Sequence, residues 1–282
     1  MTLFGTPVPF YKMQGCGNDF IVIDNRERKI PVADMEQWAK KVCARAFGVY
    51  GDGIFFLEES DDPALAYRWH FYNSDGSRAE MCGNASRCAG RLAHAIGLAP
   101  AEHVFGTDAG PIKAKVLTEG EDAGRVKVQL TPPTGIETDI ELTVDGKPLT
   151  AHFANTGVPH VVVFVDDVKA VDIMDMGPKL RYHERFAPAG TNVNFAQVVD
   201  DSTMLLRTYE RGVEGETFAC GTGASATQLL AHKLGLTGPA ATLTTTAGEQ
   251  LKVFVEGDNL FLQGAAELTF KGELYLEAMG LK

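Results

Sequence analysis

Cys82-Gly83-Asn84 opens a seventeen-residue stretch that ends at Gly97-Leu98, and a second copy runs from Cys220-Gly221-Thr222 to Gly235-Leu236. The offset between the copies is 138 residues at both ends (220 − 82 and 236 − 98). Cys, Gly, Leu, Ala, His, Gly and Leu recur at matching positions. Each copy is typical of a thiol on a tight glycine turn, followed by an amphipathic helix that ends at a glycine. The repeat therefore predicts two similar halves that each present one thiol.

A weaker duplication lies near the start of each half. Gly15 and Asp24 bracket a β-branched run, and Gly157 and Asp166 bracket another at an offset of 142 (157 − 15). Between the halves, Pro132-Pro133 opposes the continuation of any helix or strand. The double proline is therefore the best candidate for a domain boundary.

Hydrophobic spacing predicts mostly strands outside the repeated helices. Residues 35–47 are an exception, because their apolar side chains recur at helical spacing, and Gly48 is expected to end that helix. From residue 241 to 276 the chain alternates and turns in the manner of antiparallel strands. Short strands are predicted at residues 20–24, 53–57, 67–72, 112–117, 126–130, 140–144, 161–165 and 204–209.

Composition excludes several classes of protein. The net charge of −11 argues against a nucleic acid or an anionic membrane as partner, because both require clustered Lys and Arg. The five cysteines show no metal-ligand spacing, and their odd number predicts a reducing, cytoplasmic location. The longest apolar run, residues 161–165, is too short to span a bilayer. We expect no metal, because neither the cysteines nor the acidic residues have metal-ligand spacing. We expect no nucleotide cofactor, because neither a GxGxxG nor a P-loop motif is present.

The position of Cys82 and Cys220 suggests proton transfer. A thiol at a helix N-terminus meets unpaired N–H groups, and we expect these to lower its pKa towards neutrality. Such a thiol suits acid/base catalysis. The glycine turns that follow leave backbone amides free to bind a carboxylate, which would stabilise negative charge if the neighbouring carbon lost a proton. The spacing of Cys82 and Cys88 does not fit a thioredoxin-like redox pair.

Other polar residues are candidates for the functional site, although each also has a simpler structural explanation. Arg211 can pair with a carboxylate through two hydrogen bonds, and Glu210 can hold an ammonium or a proton, although such residues often line a solvated strand edge. His160 can tune a thiol, although a lone histidine is more often structural. Four asparagines lie in glycine-rich turns, where most Asn side chains bond to the local backbone: Asn18, Asn73, Asn192 and Asn194.

Seven short motifs follow one another over most of the chain: Gly15-Cys-Gly-Asn-Asp-Phe20, Asn73-Ser-Asp-Gly-Ser77, Ala79-Glu-Met-Cys-Gly-Asn84, Pro159-His160, Gly190-Thr-Asn-Val-Asn-Phe195, Glu210-Arg-Gly and Ala219-Cys-Gly-Thr-Gly223. In these motifs and in their order the chain resembles the diaminopimelate epimerase family. The resemblance implies an isomerase that needs no pyridoxal phosphate or other cofactor and interconverts LL- and meso-2,6-diaminopimelate, in lysine and peptidoglycan precursor synthesis.

The resemblance also implies an α/β (α+β) fold with two pseudo-symmetric domains. Each domain would be a curved mixed or antiparallel sheet wrapped around a central helix. The last strand would return to the first domain, which would then hold residues 1–131 plus about 265–282, and the second domain would hold residues 132–264. A homodimer in the cytoplasm and a small amino-acid substrate are implied as well.

Site residues follow from the same resemblance, residue by residue. Cys82 and Cys220 would be the two bases, one a thiolate that removes the α-proton and the other a thiol that returns one. His160 and Glu210 would lie beside the thiols and tune them. The α-carboxylate would bind Gly83, Asn84, Gly221 and Thr222, and the remaining substrate contacts would come from Asn18, Asn73, Asn192, Glu210 and Arg211.

Val158 departs from the family pattern, because many members carry an Asn at this position. Cys16 likewise replaces a usual Ala, and Glu214 resembles a one-residue insertion. The contacts to the distal end of the substrate are therefore not determined by this sequence, and two alternative functions stay open. One is a related amino-acid racemase of the histidine or proline type, and the other is a protein that binds an amino acid without chemistry.

Overall fold

The computed structural model describes residues 5–281. The chain divides into two compact units. Unit 1 comprises Met1–Val128 with Gly264–Lys282, and unit 2 comprises Gln129–Gln263. Each unit contains one run of paired strands and one 13-residue helix that lies against it.

The strands of unit 1 pair in the order β17, β1, β2, β3, β4, β5, β6, β7. The bounds are β1 Val8–Gly15, β2 Asn18–Asp24, β3 Gly53–Glu58, β4 Tyr67–Asn73, β5 Glu102–Thr107, β6 Gly110–Val116, β7 Val126–Gln129 and β17 Glu267–Leu274. The final strand, β17, pairs antiparallel with β1.

The strands of unit 2 pair in the order β8, β9, β10, β11, β12, β14, β15, β16, and the short β13 adds to β12. The bounds are β8 Thr134–Val144, β9 Lys147–Asn155, β10 Pro159–Phe164, β11 Asn192–Asp200, β12 Thr203–Glu210, β13 Gly215–Thr217, β14 Ala240–Thr245, β15 Gln250–Glu256 and β16 Asn259–Gly264. The first strand begins directly after Pro132-Pro133.

Both sheets follow one pattern of strand directions. In each, two antiparallel pairings are followed by a parallel, an antiparallel and a second parallel pairing, and then by two more antiparallel pairings. Mixed sheets of this kind require crossover connections for their parallel pairs, and helices supply them. The predicted α/β fold with two pseudo-symmetric sheets is confirmed.

The repeated stretches form helices that begin and end at equivalent positions of the repeat. Helix α3 runs over Gly83–Ala95 and helix α5 over Gly221–Lys233, again 138 residues apart, and Cys82 and Cys220 are their N-caps. Nine of the 13 residues in each helix are buried. The prediction of an amphipathic helix is therefore wrong for α5, which has no separate polar face, whereas α3 is amphipathic in sequence although strands cover most of its surface. Small residues permit this close packing.

The ends of α3 and α5 are also duplicated. Gly97 and Gly235 both have φ of 72°, in the left-handed region that favours glycine. One residue later, Leu98 N–H donates to the Ala93 carbonyl, and the matching bond in the second copy has the same geometry. His94 and His232 each bond through Nδ1 to a backbone carbonyl five residues on, at 3.2 Å. The repeated histidines thus close the helices.

The described residues form three shorter α-helices, α1 (Asn25–Arg28), α2 (Val32–Val42) and α4 (Ile173–Arg181). Three 3-10 helices lie at Val168–Ala170, Glu184–Phe186 and Leu276–Met279. The predicted helix over residues 35–47 is shifted, because α2 begins at Val32 and ends at Val42. Cys43 caps α2, and Ala46 beyond it adopts a positive φ of 70°, so the helix does not extend to Phe47 and does not end at Gly48. Gly48 then packs so closely that an added Cβ would lie 2.3 Å from the Val42 carbonyl oxygen. The chain folds back onto the end of α2.

Candidate active site

In unit 1, the candidate residues lie at one end of the sheet. Parallel strands β2 and β3 begin there, and the antiparallel β4 ends there, so Asn18 and Asn73 share this end. The first turn of α3 reaches the same place, because Asn84 Nδ2 donates to Asn18 Oδ1 over 2.6 Å. The structure therefore brings Asn18, Asn84 and the Cys82 N-cap together.

Cys82 precedes α3 with extended backbone angles (φ −144°, ψ 122°) and is partly exposed. Burial of the sulfur raises the pKa of the Cys82 thiol. Hydrogen bonds from the backbone of Ala85 and Asn84, and the positive charge of Arg87, act in the opposite direction. The expected net lowering of this pKa is wrong, because removal of the thiolate from water outweighs the helix N-terminus.

A line of hydrogen bonds runs behind Cys82. Asp52 Oδ2 accepts from Asn18 Nδ2 at 2.8 Å, Asn18 Oδ1 accepts from Asn84, and Asn84 Oδ1 accepts from Arg87 Nη2 at 2.7 Å. The line joins an anionic group at one end to a cationic group at the other. It fixes the amide orientation of both asparagines, because each has a defined donor and acceptor.

Arg87 was missed by sequence reasoning. Its side chain is fully buried and donates to the carbonyls of Ala265 and Gly83 and to Cys16 Sγ, as well as to Asn84. Within residues 5–281 it forms no ion pair with a carboxylate. The sequence held one signal, since Arg87 follows Asn84 by three positions on a helix, where side chains are neighbours.

Asn73 occupies a turn of its own. Its Nδ2 donates to Ser77 Oγ at 3.0 Å, and its backbone N–H donates to the Ser77 carbonyl at 2.9 Å. No hydrogen bond joins it to Asn18 or Asn84 in the described part of the chain. The structure thus places Asn73 at the same sheet end as Asn18, with its side-chain amide bonded to Ser77.

Unit 2 repeats this arrangement with different side chains. Parallel strands β10 and β11 begin beside each other, with His160 opposite Asn192 in the register, and β12 ends there at Glu210. Helix α5 begins at the same end, because His160 Nε2 lies 2.9 Å from the hydroxyl oxygen of Thr222. Cys220, Thr222, His160, Asn192 and Glu210 are therefore gathered at one sheet end.

Cys220 is buried, with 8% of its surface exposed. Its sulfur accepts from the Gly223 backbone N–H at 3.4 Å and lies 3.4 Å from Thr222 Oγ1. Burial raises the pKa of the Cys220 thiol to about 11, and the negative charge of Glu210 adds to that rise. Here too the predicted lowering of the pKa is wrong, since the hydrogen bonds from Thr222 and Gly223 do not offset burial and a nearby carboxylate.

His160 does not bond to a thiol directly. It is completely buried, and burial, followed by the charge of Arg211, lowers its pKa to about 3. The imidazole is therefore neutral, with Thr222 between it and Cys220. Burial also raises the pKa of the Glu210 carboxyl, while a hydrogen bond from Thr217 lowers it.

Asn192 and Arg211 are joined through the backbone. Asn192 Oδ1 accepts from the Arg211 N–H at 2.8 Å, and its Nδ2 donates to the Pro159 carbonyl at 3.0 Å. Arg211 Nη1 lies 3.3 Å from the Ala189 carbonyl oxygen, on an exposed segment. The asparagine thus positions the Arg211 backbone, and the guanidinium retains further donors for an anion. Val158 lies in the turn before β10, where its carbonyl accepts from the Thr156 N–H.

Residues 5–281 contain neither a cluster of metal ligands nor a helix that could span a membrane. No three His, Cys, Asp or Glu side chains lie close enough together there to hold a metal ion. None of the helices in that range has the length and apolar character needed to cross a membrane. All five cysteines are free thiols.

Comparison with known proteins gives a consistent result. The family model for diaminopimelate epimerase matches residues 10–136 and 152–269. The chain is 45% identical over 279 residues to the diaminopimelate epimerase of Aquifex aeolicus (strain VF5), covering 96% of this chain and 99% of the relative. It is 41% identical over 286 residues to that of Methanocella arvoryzae, covering 98% and 100%.

Solved structures share the fold at low sequence identity. A hydroxyproline epimerase from Agrobacterium vitis matches with a TM-score of 0.68 and 16% identity, over 96% of this chain and 93% of the other. A Bacillus anthracis phenazine biosynthesis protein of the PhzF family matches with a TM-score of 0.69 and 13% identity, over 95% and 99%. These likenesses support the two-sheet architecture alone.

Proposed function

The chain belongs to the diaminopimelate epimerase family, and we propose that it interconverts LL- and meso-2,6-diaminopimelate without a cofactor. The reaction serves lysine and peptidoglycan precursor synthesis. The observation that carries the proposal is the matched placement of Cys82 and Cys220 as N-caps of two helices with identical limits relative to the repeat. Two equivalent thiols suit a reaction that removes a proton from one face of a carbon and returns one to the other.

In the proposed mechanism, one thiol is ionised when the substrate binds. Its sulfur takes the α-proton, and the electron pair of the broken C–H bond moves into the α-carboxylate. The other thiol then gives its proton to the opposite face of the carbon, which inverts the centre and leaves that second sulfur as the thiolate. The charges of the two thiols are thereby exchanged, and the reverse reaction uses them in the opposite order.

The α-carboxylate needs donors that hold its developing negative charge. The first backbone amides of a helix have no intrahelical acceptor, and they lie at the positive end of the helix dipole. Gly83, Asn84, Gly221 and Thr222 occupy these positions in α3 and α5. We assign them to the carboxylate, where fixed donors favour the enolate-like transition state over the substrate.

Contacts to the rest of the substrate are assigned to Asn18, Asn73, Asn192, Glu210 and Arg211. Arg211 suits the distal carboxylate, because guanidinium and carboxylate form paired hydrogen bonds. Glu210 is partly buried near Cys220 and suits the substrate ammonium. The buried, neutral His160 acts on the thiol through Thr222.

The domain limits and the homodimer belong to this proposal as well. Each unit would be one epimerase domain, built around the Cys82 helix or the Cys220 helix. Support for a dimer comes from β17, where Leu268 and Phe270 are 44% and 47% exposed. Apolar side chains on a strand with little cover suit an interface between copies. A cytoplasmic location agrees with five free thiols.

A substrate panel tests the function. Purified protein is incubated separately with LL-diaminopimelate, L-histidine, L-proline and L-lysine, and the products are separated on a chiral column. We expect inversion of diaminopimelate alone. Inversion of histidine or proline would favour the racemase alternative that Val158 left open. Binding of an amino acid without inversion of any of the four would favour a protein without chemistry.

A further inference from the structure

A buried network behind Thr222 contains one side chain without an assigned role, Asn194. Its amide nitrogen donates to the Val161 carbonyl at 3.0 Å and lies 3.1 Å from His160 Nδ1. Its amide oxygen accepts from the Thr208 hydroxyl at 2.9 Å. Asn194 and His160 are fully buried and Thr208 is nearly so, so water does not compete for these bonds.

The orientation of the Asn194 amide follows from its partners. A carbonyl oxygen can only accept, so the atom that faces Val161 must be the NH2 nitrogen. The second hydrogen of that nitrogen then points at His160 Nδ1, which must carry a lone pair. A proton on Nδ1 would set two donors against each other in a buried site, which is costly.

The protonation of His160 determines the direction of the next two bonds. A neutral imidazole without a proton on Nδ1 carries its proton on Nε2, and Nε2 lies 2.9 Å from Thr222 Oγ1. Thr222 therefore accepts from His160, and its single hydroxyl hydrogen is free to point elsewhere. Cys220 Sγ, at 3.4 Å, is the acceptor within reach.

We propose that Asn194 is a positioning residue: it keeps the proton of His160 on Nε2, so that the Thr222 hydroxyl donates to the Cys220 sulfur. The inference rests on the proposed function in one respect only, namely that Cys220 works as a thiolate in the reaction. A donor fixed towards sulfur favours the thiolate. Two charged groups also act here: Glu210 opposes the thiolate on Cys220, and Arg211 disfavours a cationic His160.

A difference between the two copies of the repeat supports the assignment. Gly223 corresponds to Ala85 in the first copy (223 − 138). A Cβ on Gly223 would lie 2.4 Å from Asn194 Oδ1, so α5 has glycine where it approaches this amide. In unit 1, Asn84 takes the place of Thr222, and its side chain bonds to Asn18 and Arg87 instead of a thiol. The relay is specific to Cys220.

The first experiment measures the tautomer. Protein with ¹⁵N-labelled histidine is studied by long-range ¹H–¹⁵N correlation NMR, and His160→Gln assigns the His160 signal. We expect an unprotonated Nδ1 and a protonated Nε2 in the wild-type protein. A wild-type signal with the proton on Nδ1 overturns the proposal, and this result does not depend on the folding of any variant of Asn194.

The second experiment measures thiol ionisation. The rates of alkylation of Cys220 and Cys82 by iodoacetamide are followed against pH by peptide mass spectrometry, so that Cys82 is an internal control. In Asn194→Ala and in Thr222→Val, the midpoint for Cys220 should rise by about one pH unit, the effect of one lost hydrogen bond, and that for Cys82 should not move. Thr222→Ser retains the hydroxyl and should restore the midpoint.

Unchanged midpoints for Cys220 in both Asn194→Ala and Thr222→Val would contradict the relay. So would a combined variant whose shift equals the sum of the single shifts, because residues in one chain of bonds are not independent. Neither readout requires turnover. The relay is therefore tested separately from the proposed function. If the wild-type protein has the expected tautomer and the variants show the expected Cys220 shifts, but the wild-type protein does not invert diaminopimelate, the proposed function is rejected and the relay is retained.

Discussion

Asn84 Nδ2 donates to Asn18 Oδ1 over 2.6 Å, and this pair in unit 1 occupies the positions equivalent to Thr222 and His160 in unit 2. The offsets are those of the duplication, 138 residues for the helix start (222 − 84) and 142 for the strand start (160 − 18). One scaffold thus holds two thiols with different surroundings. Behind Asn84 lies the buried cation Arg87, whereas Cys220 lies near the carboxylate of Glu210.

Removal of the Arg87 charge should weaken Cys82 as an acid. The guanidinium lowers the pKa of the Cys82 thiol, so Arg87→Met should raise that pKa further and slow alkylation of Cys82 at constant pH by several-fold. Peptide mass spectrometry after timed treatment with iodoacetamide measures the rate. Arg87→Lys keeps the charge and is the matched control. Equal Cys82 rates in the Met variant and the wild type would show that the charge has no effect.

Neutralisation of Glu210 should have two effects of opposite sign. Its negative charge raises the pKa of Cys220, so Glu210→Gln should lower that pKa and speed alkylation of Cys220. The same change removes the proposed partner of the substrate ammonium, and kcat/KM should fall by at least about tenfold. A variant with slower Cys220 alkylation would contradict the electrostatic assignment, and one with unchanged kcat/KM would contradict the binding role.

The value of kcat/KM should rise with pH through the neutral range. Catalysis needs one thiolate and one thiol, and burial raises the pKa of both cysteines, that of Cys220 to about 11. Below these values, each pH unit increases the singly ionised fraction about tenfold. We expect kcat/KM to increase from about pH 6 to about pH 8, because kcat/KM reports the free enzyme. A flat or falling profile over this interval would contradict the raised values.

The duplicated helix ends should contribute to stability. Gly97→Ala and Gly235→Ala place a Cβ in the left-handed region, where the strain is roughly 1–2 kcal/mol. Neither Cβ would meet a neighbouring atom, so the cost is conformational. Urea unfolding measures the loss. Gly215→Ala is the control, since that position is equally open and lacks a positive φ, and an equal loss there would refute the explanation.

Local chemistry explains why the sequence predicted the repeated helices. A cap, a helical run and a stopping glycine all act within a few residues, and Gly97 and Gly235 stop their helices as predicted. The predicted limits of the helix over residues 35–47 were wrong for a local reason as well. Its apolar spacing continues past Val42, although the backbone turns at Ala46.

Contacts between strands explain what the sequence did not predict. Asn194 meets His160 because β10 and β11 are parallel in a register that no local pattern encodes. Asp52 meets Asn18 for the same reason. The thiol pKa values also depend on tertiary structure: the helix N-terminus is visible in the sequence, whereas the burial that outweighs it is not.

Solvent deuterium gives the most direct test of the two-thiol mechanism. LL-diaminopimelate is incubated with the protein in D2O, both isomers are separated at early times, and the deuterium content of each is measured by mass spectrometry. Because the returned proton comes from a thiol that has exchanged with solvent, we expect each meso product to carry one deuterium at the inverted carbon while the remaining LL substrate carries almost none. Meso product without deuterium, or equal labelling of both isomers from the start, would contradict the assignment of one base to each face.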